Sequence, residues 1–226
     1  MDLKNKTVII TGASSGIGYA ESKLLAQKGA LVACFDLQSP KEPVAGVTYH
    51  QLDITDSGAI KKALATIKKP IDVLINNAGV MRRGTVTESS EPDYDLIMNV
   101  HMKASWLMFK LVQPKLINSA VILQMSSRHG LNLPPDPALY GLAKSASYHL
   151  AEIIQKTFPH YRVKIACPGP VDTPLSRYGT TKKEYEEKRK MMLTPDELAK
   201  HLVKLITADE YKKLVFDQDK SAYIFE

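Results

Sequence analysis

Tyr140 and Lys144 stand four residues apart in the run YGLAK, a spacing that puts both side chains on one face of a helix. Their acid–base chemistry is complementary. An ordinary tyrosine titrates near pH ~10, but a neighbouring ammonium favours the phenolate and draws it toward neutrality, which makes a usable general base. Tyrosine and lysine meet at this spacing on many helices, so the pair takes its meaning from its surroundings. Ser127 lies thirteen residues upstream of Tyr140, at the end of the apolar run AVILQMSS. A strand ending there and a helix carrying Tyr140 would bring three groups to the carboxyl edge of a sheet, where ligands of open α/β sheets bind. The Ser127 hydroxyl can hydrogen-bond a substrate oxygen as charge develops on it, or serve only as a turn or helix cap.

A second constellation opens the chain. Residues 8–18 read VIITGASSGIG, a strand running into a turn with Gly12, Gly16 and Gly18 and then into a helix. Glycines there permit a tight turn and a close approach of backbone to pyrophosphate, and the helix N-terminus presents N–H groups to an anion. Asp36 ends the next strand, eighteen residues after Gly18, where a carboxylate can accept from adenosine ribose hydroxyls. Its negative charge opposes a 2′-phosphate, and neither Ala13 nor Ser15 offers a compensating base, so NAD(H) is preferred and NADP(H) is the alternative. Asp53, in QLDIT, is placed to meet an adenine edge, while Asp53, Thr55 or Asp56 could equally cap the following helix.

The elements that must position these groups alternate in type. KTVIITG, LVACFD, VTYHQLD, DVLINNAG, AVILQMSS and VKIACPG are near-continuous apolar runs of the kind that form strands buried on both faces, with a seventh expected near KLVFDQ or SAYIFE. Ile17, Ala20, Leu24, Leu25 and Ala26 recur at helical spacing, and Lys28-Gly29 marks that helix's end. The stretch from Leu37 to Gly46 holds two prolines and a glycine without helical periodicity and reads as a loop crossover. The pattern predicts a three-layer α/β protein with a doubly wound parallel sheet. It forms one domain over residues 1–226 that carries both sites, with 174–193, including the charged 180–190, as a candidate substrate lid.

Composition narrows the setting. The 226 residues carry 30 Lys+Arg against 24 Asp+Glu, a net charge of +6 that is scattered and unaccompanied by any nucleic-acid motif. No nucleic-acid partner is expected. No run is long enough to span a bilayer, and Cys34 and Cys167 both sit in apolar strands as small buried hydrophobes, so a reducing, cytoplasmic setting is expected.

Taken together, TGASSGIG, Asp36, NNAG at 76–79, Ser126-Ser127, YGLAK and PGPVDTP resemble the short-chain dehydrogenase/reductase family, over roughly residues 4 to 175 and in family order. The resemblance implies a Rossmann-like sheet of order 3-2-1-4-5-6-7, a seventh strand closing it. It makes Tyr140 the acid/base, Lys144 the residue that lowers its pKa and binds nicotinamide ribose, and Ser127 the substrate-positioning hydroxyl. It assigns Gly12, Ser14, Ser15, Gly16, Ile17 and Gly18 to the pyrophosphate, and Asp36, Asp53, Ile54, Asn76, Ala78 and Gly79 to the adenosine side. Pro168, Gly169, Val171 and Thr173 would hold the nicotinamide.

Three departures stand out. Where the family has a relay asparagine after NNAG, the register anchored on Val100 puts His101; Asn99, about 200° around a helix from it, is the competing candidate. The glycine-rich closing strand is missing, and the second crossover is short. The implied activity is hydride transfer between NAD(H) and a secondary alcohol or ketone. A silent NAD-binding sensor or scaffold of the same fold, and an NADP(H)-dependent ketoreductase, are the rivals. Arg82, Arg83 or Arg128 could meet a substrate carboxylate, and Leu131, Leu133 and Leu139 could form an apolar wall. A homodimer or homotetramer is expected from helices bearing Leu107, Met108, Leu111 and Val112, or Leu142, Ala146 and Leu150, which a buried core would also explain.

Overall fold

The computed structural model describes residues 1–226. Its centre is one sheet of eight strands, β1 (Thr7–Thr11), β2 (Leu31–Asp36), β3 (Val47–Gln51), β4 (Ile71–Asn76), β5 (Leu116–Met125), β6 (Arg162–Cys167), β7 (Lys213–Asp217) and β8 (Ala222–Phe225). The order is β3-β2-β1-β4-β5-β6-β7-β8; β8 alone runs antiparallel, paired to β7. Both candidates for the last strand are therefore strands. They are short and joined by a tight turn, so together they extend the sheet as a hairpin, beyond the seven strands expected.

Helices cover both faces. α1 (Gly16–Gln27) and α9 (Pro195–Thr207) lie on one side; α2 (Ser57–Thr66), α4 (Ala104–Val112) and α6 (Ala138–Thr157) lie on the other. The strand period of two assigns the faces. Val8 and Ile10 pack with Leu25 of α1 and Leu202 of α9, while Ile9 between them packs with Ile60, Met108 and Ile154. No helix lies between β2 and β3, as the prolines of that crossover require. Lys28 ends α1 and Gly29 follows at φ +84°.

Leu107, Met108 and Val112 are consumed by the core, which leaves them no role at an oligomer face; Leu142 is exposed. Cys34 and Cys167 are buried free thiols, pushed up to about 12 and about 11 by burial.

α1 contains one residue that the core does not satisfy. Glu21 is fully buried, neither carboxyl oxygen has a hydrogen-bond partner, and burial raises it from an ordinary 4.5 to about 8. A raised carboxyl favours the fold when protonated, so stability is complete below pH ~4.5 and falls as pH rises through about 8. Glu21→Met should stabilise the protein by roughly 1–3 kcal/mol above pH 8 and flatten the pH dependence of Tm. An unchanged slope of Tm against pH in the variant would assign the titration to other groups.

Candidate active site

β1 and β4 are neighbours whose following helices leave toward opposite faces, which opens a crevice at their carboxyl ends. Thr11 and Asn77 fasten it. Thr11 Oγ1 accepts from the backbone N–H groups of Asn77 (3.0 Å) and Ala78 (3.1 Å), and Asn77 Nδ2 donates to the Thr11 and Gly12 carbonyls at 3.0 and 2.9 Å. Gly12 sits at φ +69°, and a Cβ there would lie 2.6 Å from Ala78 Cα, so the turn accepts no side chain.

The cleft that begins at this loop has a volume of about 780 Å³. Gly12, Ser15, Gly16, Ile17 and Gly18 form its floor at one end, with Asp36, Asp53, Ile54, Ala78 and Gly79 beside them. Ser127, Tyr140 and Lys144 line the other end, Pro168, Gly169 and Val171 also line the cleft, and the Thr173 side chain lies over the glycine loop, 3.4 Å from where a Cβ at Gly16 would stand. The fit to a dinucleotide is good: a glycine floor at a helix start for the pyrophosphate, a carboxylate at the ribose position, and the two ends joined by one cavity.

Three expected residues lie elsewhere. Asn76 is buried behind the cleft, its Nδ2 donating to Gln124 Oε1 at 3.3 Å. Successive side chains of a strand face opposite ways, so at the end of β4 it is Asn77 that reaches the crevice. No sequence signal separated the two adjacent asparagines. Ser14 is turned away, its hydroxyl donating to the Gln38 carbonyl, while its backbone N–H donates to Asp36 Oδ2 at 2.9 Å. His101 lies behind Tyr140 and not in the cleft wall.

Asp36 also accepts from Gln38 N at 2.9 Å, so the carboxylate is pinned at the cleft by two backbone donors. Asp53 lines the cleft but accepts from Thr55 N and Oγ1, both at 2.8 Å; the helix cap is Asp56, which holds Gly58 N at 2.7 Å. Ser127 borders the cleft and accepts from His129 N at 3.1 Å as the N-cap of α5 (Arg128–Asn132).

Desolvation dominates the electrostatics of the reacting end. Burial pushes the Tyr140 phenol up to about 12, opposed by the nearby Ser127 hydroxyl, while burial pulls Lys144 down to about 8. Lys144 Nζ donates to the Met125 carbonyl at 2.7 Å and stands 5.7 Å from the Tyr140 ring centroid. Desolvation thus sets both shifts, disfavouring the charged form of each group.

His101 falls in a π-helical turn, Asn99–Lys103, that joins α3 (Glu91–Met98) to α4. It is buried and edge-on to Tyr140, ring centroids 5.2 Å apart at 89°. Asn99 is half-buried at the end of α3, so the residue brought against Tyr140 is His101. Its Nε2 lies 2.8 Å from the Val80 carbonyl, Nδ1 has no partner, and burial reinforced by Lys144 lowers it to about 3. The imidazole is thus neutral, and Nε2 meets both Val80 backbone groups, donating to the carbonyl at 2.8 Å in one tautomer or accepting from the N–H at 3.2 Å in the other. A Cβ at Gly79 would lie 2.7 Å from its Cε1, so Gly79 makes room for the ring.

The remaining candidates divide similarly. Leu131 and Leu133 are exposed and outside the cleft, and Leu133, in the left-handed conformation, ends α5. Arg82 is engaged by Asp93 (3.1 Å) and Arg83 by Asp136 (2.5 Å). His129, not singled out from sequence, lines the cleft with its ring perpendicular to Tyr140 at 6.0 Å; only its position next to Ser127 could have suggested it.

Comparisons with known proteins agree with this architecture. The family model described as short chain dehydrogenase matches residues 6–184. Dehydrogenase/reductase SDR family member 6 of Rattus norvegicus is 33% identical over 181 residues, covering 76% of this chain and 74% of that protein. Oxidoreductase UcpA of Salmonella typhimurium is 33% identical over 190 residues, 77% of this chain and 72% of its own length. The ligand-free structure of Thermoplasma acidophilum aldohexose dehydrogenase superposes with a TM-score of 0.82 at 26% identity, covering 91% of this chain and 88% of that one. Sequence and fold lead to the same place: the chain belongs to the short-chain dehydrogenase family of NAD(P)-dependent oxidoreductases.

Proposed function

We propose that this protein interconverts a secondary alcohol and its ketone with NAD(H) as the partner, Tyr140 being the group that carries the alcohol proton. The observation that carries the reading is the joint lining of one end of the cleft by Ser127 and the buried Tyr140 and Lys144, with the glycine loop at the other end. A bound nicotinamide ring supplies a two-electron hydride acceptor or donor. Gly12, Gly16 and Gly18 would hold the pyrophosphate, Asp36 the adenosine ribose, and Val171 and Thr173 the carboxamide.

Burial keeps Tyr140 protonated, so on reduction the proton is in place to pass to the substrate oxygen as a C–H bond forms at the carbon, and the cationic Lys144 offsets the phenolate that results. On oxidation Tyr140 starts as the phenolate, whose charge the cationic Lys144 beside it offsets, and takes the hydroxyl proton to become the neutral phenol. Ser127 holds the substrate oxygen. His101, neutral and anchored to Val80, fixes the Tyr140 ring from behind, and its unpartnered Nδ1 is the ring nitrogen available for a proton relay. Tyr140→Phe should lower kcat about 1,000-fold with dinucleotide affinity unchanged within about threefold. Full turnover by the variant would remove Tyr140 from the chemistry, and dinucleotide binding without turnover in the wild type would favour a sensor.

NAD(H) preference rests on the pinned Asp36 carboxylate. Asp36→Asn keeps the acceptor but removes the charge, and should shift the ratio of NAD(H) to NADP(H) dissociation constants about tenfold toward NADP(H), by titration of both. A ratio that does not move would place the discrimination elsewhere.

Residues 174–193 act as a lid in this reading. α7 (Pro174–Arg177) and α8 (Lys182–Arg189) are gathered by one carboxylate, Asp172, which accepts from Tyr185 Oη at 2.5 Å and Arg177 Nη2 at 2.7 Å and pairs with Arg189 at 3.4 Å. The Tyr185 and Arg177 bonds hold it below the usual carboxylate range. Asp172→Ala should speed tryptic cleavage within 182–190 about tenfold, as the loss of about 1.4 kcal/mol of local stability requires. Cleavage at the wild-type rate would show that the lid is held by other contacts.

A further inference from the structure

The chain has six arginines, and five of them are paired with carboxylates: Arg82 with Asp93, Arg83 with Asp136, Arg162 with Asp209, and Arg177 and Arg189 with Asp172. The sixth, Arg128, follows Ser127 directly and lines the cleft. Its backbone N–H donates to the Pro168 carbonyl at 3.0 Å, which ties it to the loop after β6. The guanidinium has one partner, the neutral Gln218 Oε1 at 3.0 Å from Nη1, and its Nε is buried with no partner at all.

Gln218 comes from the turn of the β7–β8 hairpin. That turn is itself braced, since Asp217 Oδ1 accepts from Asp219 N (3.0 Å) and Lys220 N (3.1 Å). The hairpin therefore reaches across the carboxyl edge of the sheet and steadies the one arginine without a counter-charge. Of the other charges at this end, Asp136 is neutralised by Arg83 and accepts from Gly84 N at 2.8 Å, whereas Lys188 of α8 has no carboxylate within ion-pair distance. The substrate end is left with cationic charge that nothing in the protein balances.

We infer that Arg128, steadied by Gln218, is a specificity-determining residue that receives an anionic substituent of the substrate, so that the preferred alcohol or ketone is one bearing a carboxylate or phosphate. This rests on the hydride-transfer reading above. A planar fork with an unpartnered N–H is suited to an oxyanion and gains little from a neutral chain, and removing the charge penalises the anionic substrate alone.

The test compares straight-chain hydroxy acids of graded spacing between alcohol and carboxylate, the amide of each, and the matching hydroxyalkyl monophosphates, followed through NADH absorbance. The wild type should turn over one anionic series, carboxylate or phosphate, with kcat/KM at least about 30-fold above the amides, chiefly through KM. Arg128→Gln should remove that advantage, leaving amide turnover and dinucleotide affinity within about threefold; Arg128→Lys should restore part of it, and Gln218→Ala should lose part. If Arg128→Gln does not fold, Arg128→Lys and Gln218→Ala carry the same comparison. Equal loss on acid and amide, a weakened dinucleotide, or a wild type that favours neutral alcohols would overturn the inference and leave hydride transfer standing. No turnover of any series would overturn both.

Discussion

The bonds between Thr11 and Asn77 are the constraint on which the site depends. Parallel strands end with unpaired carbonyls and N–H groups, and at the crevice between β1 and β4 no neighbouring strand continues to satisfy them. Thr11 Oγ1 and the Asn77 amide complete four of these valences at once, binding the glycine loop to the segment after β4. The two loops then act as one rigid wall. Gly12 fits against Ala78 only because that wall is held closed, and its backbone N–H donates at 2.9 Å to the Phe35 carbonyl, one residue before the Asp36 carboxylate.

Behind the reacting end runs a buried polar chain. Asn76 donates to Gln124, Gln124 Nε2 to Ser105 Oγ at 3.3 Å, Ser105 to the His101 carbonyl at 2.8 Å, and His101 Nε2 meets the Val80 backbone. Interior polar groups are costly unless paired, so such a chain holds its members in one arrangement. Here it fixes the π-helical turn and the imidazole against which Tyr140 packs. The same dryness raises Tyr140 and lowers Lys144, so neither group carries its charge easily alone. A site built this way responds strongly to an opposite charge introduced next to it, because little water competes.

Much of this was legible from sequence where the determinant is local. The glycine loop, the end of α1, the helix-free crossover and the joint placement of Ser127, Tyr140 and Lys144 follow from short-range rules of turn chemistry and helical spacing. The failures share a cause as well. Choosing Asn77 over Asn76 required the pleat phase at one strand end, and β8 is short enough that its pairing with β7, not its composition, makes it a strand. The phenol's upward shift depends on burial by several elements, which no i,i+4 pairing reveals. Leu131 and Leu133 looked like a pocket wall because hydrophobicity does not encode direction.

The substrate end is the extreme case of non-local construction. Arg83 meets Asp136 across 53 residues of chain, Arg128 meets Gln218 across 90, and Asp172 collects partners from two separate helices. Each arginine looked alike in sequence; the fold makes them different by giving all but one a carboxylate. Surface charge pairs contribute little to stability, so selection for folding alone gives little reason for this distribution. What the pairing does accomplish is subtraction. By neutralising Arg83 with Asp136 and Arg177 and Arg189 with Asp172, the protein confines free guanidinium charge to Arg128, beside the serine and tyrosine whose chemistry an incoming anion would have to reach.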